Sequence, residues 1–264
     1  MITRKKSSQL KSIAKGRMLG NYGKMIGAFF AMYGIFLAAA IIMMILTGII
    51  AAGVSLTAGL IFFFVIMIGF YLLIPLFMVG QNKMFLTAGR GEYCKFSYLF
   101  SGFTICPGKS ILAMLLLILI AIAVLAVPVI AFGVLTYMSL RTPAYAALGI
   151  VIYFAGLIIY YIIALKFALV YYLIIDHPEL SVIQLFKTSN HLMKGNKGRF
   201  FYITISFIPI MLLGVLSYYI GILFLMPYMQ MTFTQFYLNV VEVEKAQQAS
   251  NAAAYEAMTN YATE

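Results

Sequence analysis

The chain has 264 residues, of which 64% are hydrophobic and 9% charged, and its net charge is +11. A soluble domain carries about 25% charged residues, so this composition excludes a soluble fold and predicts an all-α polytopic membrane protein. The positive charge does not point to nucleic acid, because the basic residues lie beside apolar runs, where anionic lipid headgroups are the nearest partners.

In chain order, residues 2–19 read as a surface helix. Leu10, Ile13, Ala14 and Met18 fall on one face at helical spacing, while Lys11 and Lys15 face away. Gly20-Asn21 then breaks the helix, since both residue types tolerate the left-handed conformation that ends one. Gly23-Lys24 follows, with the cation at headgroup level beside the first spanning turn. Apolar runs over 25–51 and 57–82 are each long enough to cross, since roughly 20 helical residues span the hydrocarbon core. The first run is too long for the apolar part of a cleavable signal peptide.

Residues 95–112, KFSYLFSGFTICPGKSIL, form a second surface segment that ends in a basic corner. Cys94 and Cys106 share this cytoplasmic stretch and are expected as reduced thiols, although a bridge between them stays open. Two more spans are expected over 110–138 and 145–175. Kinks at Pro128 or Gly133 offer one way to absorb the length of these first four runs. DHPEL at 176–180 then starts a surface helix over 178–194, with Asp176 placed to cap and Pro178 in the first turn. Its apolar face carries Val182, Leu185, Phe186, Ser189 and Met193, and Lys187, Asn190 and Lys194 take the other. Gly195-Asn196 and Gly198-Arg199 repeat the first corner before spans at 200–217 and 219–240. Residues 242–264 are Ala-rich and acidic, and extend the last helix or fray into a cytoplasmic tail.

MLGNYGK at 18–24 and MKGNKGR at 193–199 therefore mark the same topological place. We read one transmembrane domain over 1–241, with six spans in three repeats of about 1–90, 91–177 and 178–241. Each repeat is a surface amphipathic helix followed by a transmembrane hairpin. The competing explanation is that any hairpin protein with positive inner loops needs basic corners. With both termini cytoplasmic, all of the 18 lysines and arginines except Arg141 and Lys166 fall inside, which predicts that orientation in the membrane.

LKSIAKGRMLGNYGKMIGAF (10–29), IPLFMVGQNKMFL (74–86), SVIQLFKTSNHLMKGNKGRFF (181–201) and LMPYMQMTFTQFYLNV (225–240) resemble, in order, bacterial membrane proteins grouped as DUF975, a domain of unknown function. That family is similar in turn to the membrane domains of some glycerophosphodiester phosphodiesterases, whose catalytic barrel has no counterpart here. The resemblance implies a six-helix membrane protein and carries over no catalytic residue.

Little in the chain suggests catalysis. None of the seven acidic residues falls within an expected hydrocarbon core, and His177 and His191 lie at opposite ends of one helix, ~21 Å apart. No phosphate loop or metal-ligand spacing is present, so neither enzyme activity nor a cofactor is expected. Lys166 is the one basic residue deep in a span; it either serves function or snorkels to the inner interface. Gln81, Asn82, Gln230, Thr232, Thr234 and Gln235 sit toward the inner ends of the second and sixth spans. With Lys166 they either line a cytoplasm-facing cavity or join helices by hydrogen bonds worth about 0.6 kcal/mol each. Two functions follow: a carrier or permease for a lipid, peptide or other amphiphilic solute, or a non-transporting scaffold, assembly or immunity-type protein that binds a partner membrane protein.

Overall fold

The computed structural model describes residues 3–217 and 220–261. Among these, regular structure is entirely helical: α1 (Ser7–Met18), α2 (Tyr22–Gly53), α3 (Leu56–Arg90), a 3-10 stretch (Phe96–Phe103), α4 (Pro107–Met138) and α5 (Ala144–Ala164). A short 3-10 turn (Leu165–Phe167) leads to α6 (Val170–Asp176), α7 (Val182–Leu192), α8 (Lys197–Ile205), α9 (Ile208–Leu216) and α10 (Ile220–Tyr261). The chain forms two compact units. One joins the stretch ending at Pro107 to the stretch beginning at Gly198, and the other is Gly108–Lys197.

Five segments are long and apolar enough to cross a membrane: Tyr22–Gly53, Leu56–Arg90, Pro107–Met138, Ala144–Asp176 and Lys197–Leu216. The protein is accordingly an integral membrane protein. The sixth expected span, 219–240, falls on α10 apart from residue 219, which is outside the described residues. Gln230, Thr232, Thr234 and Gln235 dilute its apolar run, so α10 is not among the five. It continues without a break to Tyr261, which makes residues 242–261 helix; 262–264 lie outside the described residues, as does residue 2 of the expected first surface helix.

In the first unit, buried side chains gather at one end of the helices. Leu10, Met25, Phe85, Leu99 and Phe236 are buried there. Further along α2 and α3, Leu37, Met44, Ile61 and Phe64 are exposed. Exposed apolar groups carry no penalty against lipid tails, so association rests on packing and hydrogen bonds, and these concentrate at the basic end. The α2–α3 turn is fixed by Ser55, whose hydroxyl accepts from Ala58 N at 3.1 Å. The 3-10 stretch presses its backbone onto α3: a Cβ at Gly80 would collide with the Leu99 carbonyl oxygen, and one at Gly102 with that of Leu76. Phe77 fills the seam, edge-on to Phe36, Phe100 and Phe103.

Two expectations are corrected here, and most of the apolar face expected of α1 is buried. The second surface segment is a 3-10 stretch, not an α-helix, because close backbone contact with α3 sets its path. Of the four residues expected on the apolar face of α1, Leu10, Ala14 and Met18 are buried, and the helix packs on α10 and α3 within the protein. The surface helix expected from Pro178 begins instead at Val182. Asp176 ends α6, and the cap is Ser181, whose hydroxyl accepts from Gln184 N while Gln184 Oε1 accepts from Ser181 N at 2.9 Å.

The second unit repeats the same economy of small residues. A Cβ at Gly156 of α5 would clash with the ring of Pro128 in α4, and Phe132 and Tyr153 rings lie 5.3 Å apart one turn away. On α7, Val182, Leu185, Phe186 and Ser189 are buried, as is Met193 at its C-cap, and the helix packs on α6 and the 165–167 turn.

Candidate functional site

Gly20 and Gly195 both adopt left-handed backbone, with φ of 77° and 71°. The two corners therefore turn at the glycines that the repeated motif marks. Asn21 precedes α2, and Asn196 is buried, its amide donating to the Leu192 carbonyl at 2.8 Å. Gly23 and Gly198 have open space where a Cβ would go. A further left-handed glycine, Gly91 (φ 89°), ends α3, and the Arg17 guanidinium sits where its Cβ would be.

The cations at the corners, expected at lipid headgroups, instead bond to backbone carbonyls. Lys24 Nζ donates to Cys94 O at 3.2 Å and lies 4.0 Å above the Tyr93 ring. Lys109 Nζ donates to the carbonyls of Pro178 and Leu180, the latter at 2.8 Å. Arg199 Nη2 donates to Lys5 O at 2.7 Å and to Asn239 Oδ1 at 2.9 Å. Cys94, Leu180 and Lys5 each lie two residues before a helical segment: the 3-10 stretch, α7 and α1 respectively. A charge-assisted bond to a carbonyl is among the stronger hydrogen bonds.

Asn239 of α10 extends the Arg199 tie. Its Oδ1 also accepts from Lys5 N at 3.0 Å, its Nδ2 donates to Thr3 O at 3.3 Å, and Lys5 Nζ stands 3.4 Å from Glu242. The N-terminal segment is thereby held against α8 and α10. Sequence reading missed Asn239, although a lone Asn in an apolar helical run is itself a signal of a fixed partner.

The inner polar residues of α3 and α10 meet, whereas Lys166 belongs to the other unit. Gln230 Nε2 donates to Asn82 Oδ1 at 2.5 Å, and Gln235 Nε2 to Gly89 O at 3.2 Å. Thr232 and Thr234 donate back to the carbonyls of Tyr228 and Gln230. Gly89 permits the approach, since its Cβ position lies about van der Waals distance or closer to Thr234, Gln235 and Leu238. Gln81 Nε2 is buried with no hydrogen-bond partner among the described residues.

Lys166 does not sit in a continuous helix. Its segment is the 3-10 turn between α5 and α6, where two backbone groups lose their helical partners. Ser189 of α7 satisfies both: its hydroxyl donates to Lys166 O at 2.9 Å and accepts from Leu169 N at 3.3 Å. The backbone of Lys166 is thus the fixed part, and its side chain is half-buried.

A comparable break separates α8 from α9. Lys11 Nζ, from α1, donates to Ser206 O at 3.2 Å and lies 4.1 Å above the Phe207 ring. Burial and the nearby Lys15 charge hold its ammonium pKa below the usual lysine range. Beside this contact opens a cleft of about 650 Å³, lined by Arg4, Lys6, Lys11, Arg199 and Tyr202 among others, with no acidic lining residue. On the other side lies a groove of about 620 Å³, lined mainly by Leu19, Tyr22, Ile210, Phe224, Leu225 and Tyr228.

The remaining groups with chemical potential are few. His177 Nδ1 and Glu179 Oε1 pair at 3.2 Å, and Glu179 is held below the usual carboxylate range, first by its own backbone and then by His177. Among the described residues no group of three His, Cys, Asp or Glu could hold a metal. Neither Cys94 nor Cys106 is in a disulfide.

No curated protein and no solved structure matches the chain. Residues 1–244 match a family described as a protein of unknown function, DUF975, the family that the corner and span sequences resemble. The match covers nearly the whole chain, and the protein belongs to the DUF975 family of proteins of unknown function.

Proposed function

We propose that the protein is a non-transporting membrane scaffold: a six-span bundle, built as three repeats, whose basic end lies in the cytoplasm and whose lipid-facing helices receive a partner membrane protein. The carrying observation is the Gln230–Asn82 bond at 2.5 Å, with the Gln235–Gly89 bond beside it, which spends these polar side chains on joining α10 to α3. A solute path needs such groups facing water. The distribution of lysines and arginines supports both termini on the cytoplasmic side, and the family resemblance supports a bacterial plasma membrane. The three cation–carbonyl ties support the repeat reading, since each repeat's cation reaches the segment that opens the next, and the third reaches the first.

One observation favours the carrier reading: the buried, unpartnered amide of Gln81 beside this ladder marks a place where a polar group of a solute would be welcome. Substituted-cysteine accessibility separates the two. Thr234→Cys, in a background with Cys94 and Cys106 replaced by alanine, is placed in liposomes with a membrane-impermeant maleimide. The scaffold reading expects no labelling from either face; labelling from one face, blocked by nothing but added solute, supports a carrier.

A further inference from the structure

We infer that the cleft and the groove on either side of Lys11 form one site for a single anionic phospholipid, its phosphate in the cleft and an acyl chain in the groove. The two spaces have no lining residue in common, but both draw on α1 and on the α8–α9 segment. On α1, Lys11 lines the cleft and Lys15 the groove; facing it, Ser206 lines the cleft and Ile210 the groove. Lys11 and Lys15 are four residues apart on α1, one helical turn or ~6 Å, and Ser206 and Ile210 flank the start of α9. The Lys11 contact with Ser206 O and Phe207 marks the boundary between them.

The chemistry changes across that boundary as it does along a lipid. The cleft gathers five cations, Arg4, Lys5, Lys6, Lys11 and Arg199, and its lining includes no acid. Glu242 pairs with Lys5, and Arg199 is engaged with Lys5 O and Asn239. Arg4 and Lys6 are exposed, and no ion pair of theirs occurs among the described residues. Like charges held together with an acid-free lining form an anion site, and the Tyr202 hydroxyl adds a donor for phosphate oxygens. The groove then offers Leu19, Ile210, Phe224 and Leu225, with the Tyr22 hydroxyl already satisfied by Phe224 O at 2.8 Å. Its rim continues into exposed apolar side chains of α9, Leu212 and Leu213, so a chain lying there passes into the surrounding lipid. Both volumes fall within the range of small-molecule sites, about 300–1,000 Å³. A free phosphate would use only the cleft, and a neutral lipid only the groove. The acid-free cleft abutting the apolar groove therefore fits an anionic phospholipid.

The test uses full-length protein purified in detergent and titrated with phosphatidylglycerol or phosphatidylcholine by native mass spectrometry. Phosphatidylglycerol is expected to remain bound where phosphatidylcholine does not. Arg4→Gln with Lys6→Gln, two exposed positions with no packing role, should weaken it about 30-fold, since each removed cation contributes about fivefold. Phosphatidylglycerol bearing a diazirine on its acyl chain should label peptides containing Ile210 or Phe224 in the parent and not in the double variant. Millimolar inorganic phosphate should not displace the lipid. Equal binding of the two lipids, labelling unaffected by the double variant, or displacement by inorganic phosphate would overturn the proposal. The measurement is independent of solute flux and of orientation, so its failure leaves the scaffold reading standing, and labelling of Thr234→Cys leaves this site standing.

Discussion

Arg199 and Lys5, 194 positions apart in sequence, are joined by a 2.7 Å bond from the guanidinium to the backbone carbonyl, with Asn239 closing the other side. The tie fixes the chain just before α1 and so sets where α1 lies. Arg199→Met removes both bonds and leaves the Asn239 amide with fewer partners. We expect a loss of about 1.5–3 kcal/mol, the range for hydrogen bonds to charged groups. Thermal unfolding in detergent reads the loss. Faster tryptic cutting after Arg4, Lys5 and Lys6, with the rest of the chain initially intact, locates it.

Two glycines are needed for different reasons, and substitution separates them. Gly20 needs only its backbone, with nothing within 4 Å of a Cβ. Gly20→Ala should cost about 1 kcal/mol and Gly20→Val more, because β-branching opposes the left-handed region. Gly80→Ala drives a methyl into the Leu99 carbonyl and should cost about 3 kcal/mol through displaced backbone. Equal melting temperatures for Gly20→Ala and Gly80→Ala would remove the close-contact argument.

In the second unit, the hydroxyl of Ser189 matters more than the ammonium of Lys166. Ser189→Ala leaves Lys166 O and Leu169 N unpaired in a buried place, for an expected loss of about 1–3 kcal/mol. Lys166→Met keeps the backbone and should be near neutral or slightly stabilising, since a charge leaves the span. Thermal stability of the two variants side by side decides the order. A large loss in Lys166→Met with none in Ser189→Ala would reverse the assignment.

Cys94 is buried and its thiol is pushed up from the usual range, by burial, with Lys24 opposing; Cys106 is less buried. Because the thiolate is the reactive form, Cys106 should react with maleimide at pH 8 at least about tenfold faster than Cys94. Cys94 should label fully only after unfolding. Mass spectrometry of partly labelled protein reports the ratio, and a disulfide between the two would show as no labelling before reduction.

Much of this was legible in the residues, and the rest failed for identifiable reasons. Gly20 and Gly195 were readable because only a few residue types accept positive φ. The α7 face was readable because a 3.6-residue period survives in a short helix. The start of α7 was misplaced because Asp176 and Pro178 look like a helix start, while the reciprocal Ser181–Gln184 pair, four residues wide, carried the actual signal. The 3-10 form of 96–103 could not be read locally: it follows from Gly80 and Gly102 admitting backbone against backbone across a distance in sequence. Charge put Lys24, Lys109 and Arg199 beside the turns, but composition cannot distinguish a lipid phosphate from a carbonyl as their partner. The polar residues of α3 and α10 were found by their depth, and which partner each takes depends on helix packing that periodicity does not specify.

The most direct measurement of the three-way tie is hydrogen exchange on the protein in lipid nanodiscs, comparing the parent with Lys24→Met, Lys109→Met and Arg199→Met. The account predicts that each variant loses protection chiefly in one short segment: residues 93–95, 178–181 and 3–6 respectively. Loss spread alike over all three segments in every variant, or no loss in the matched segment, would contradict it.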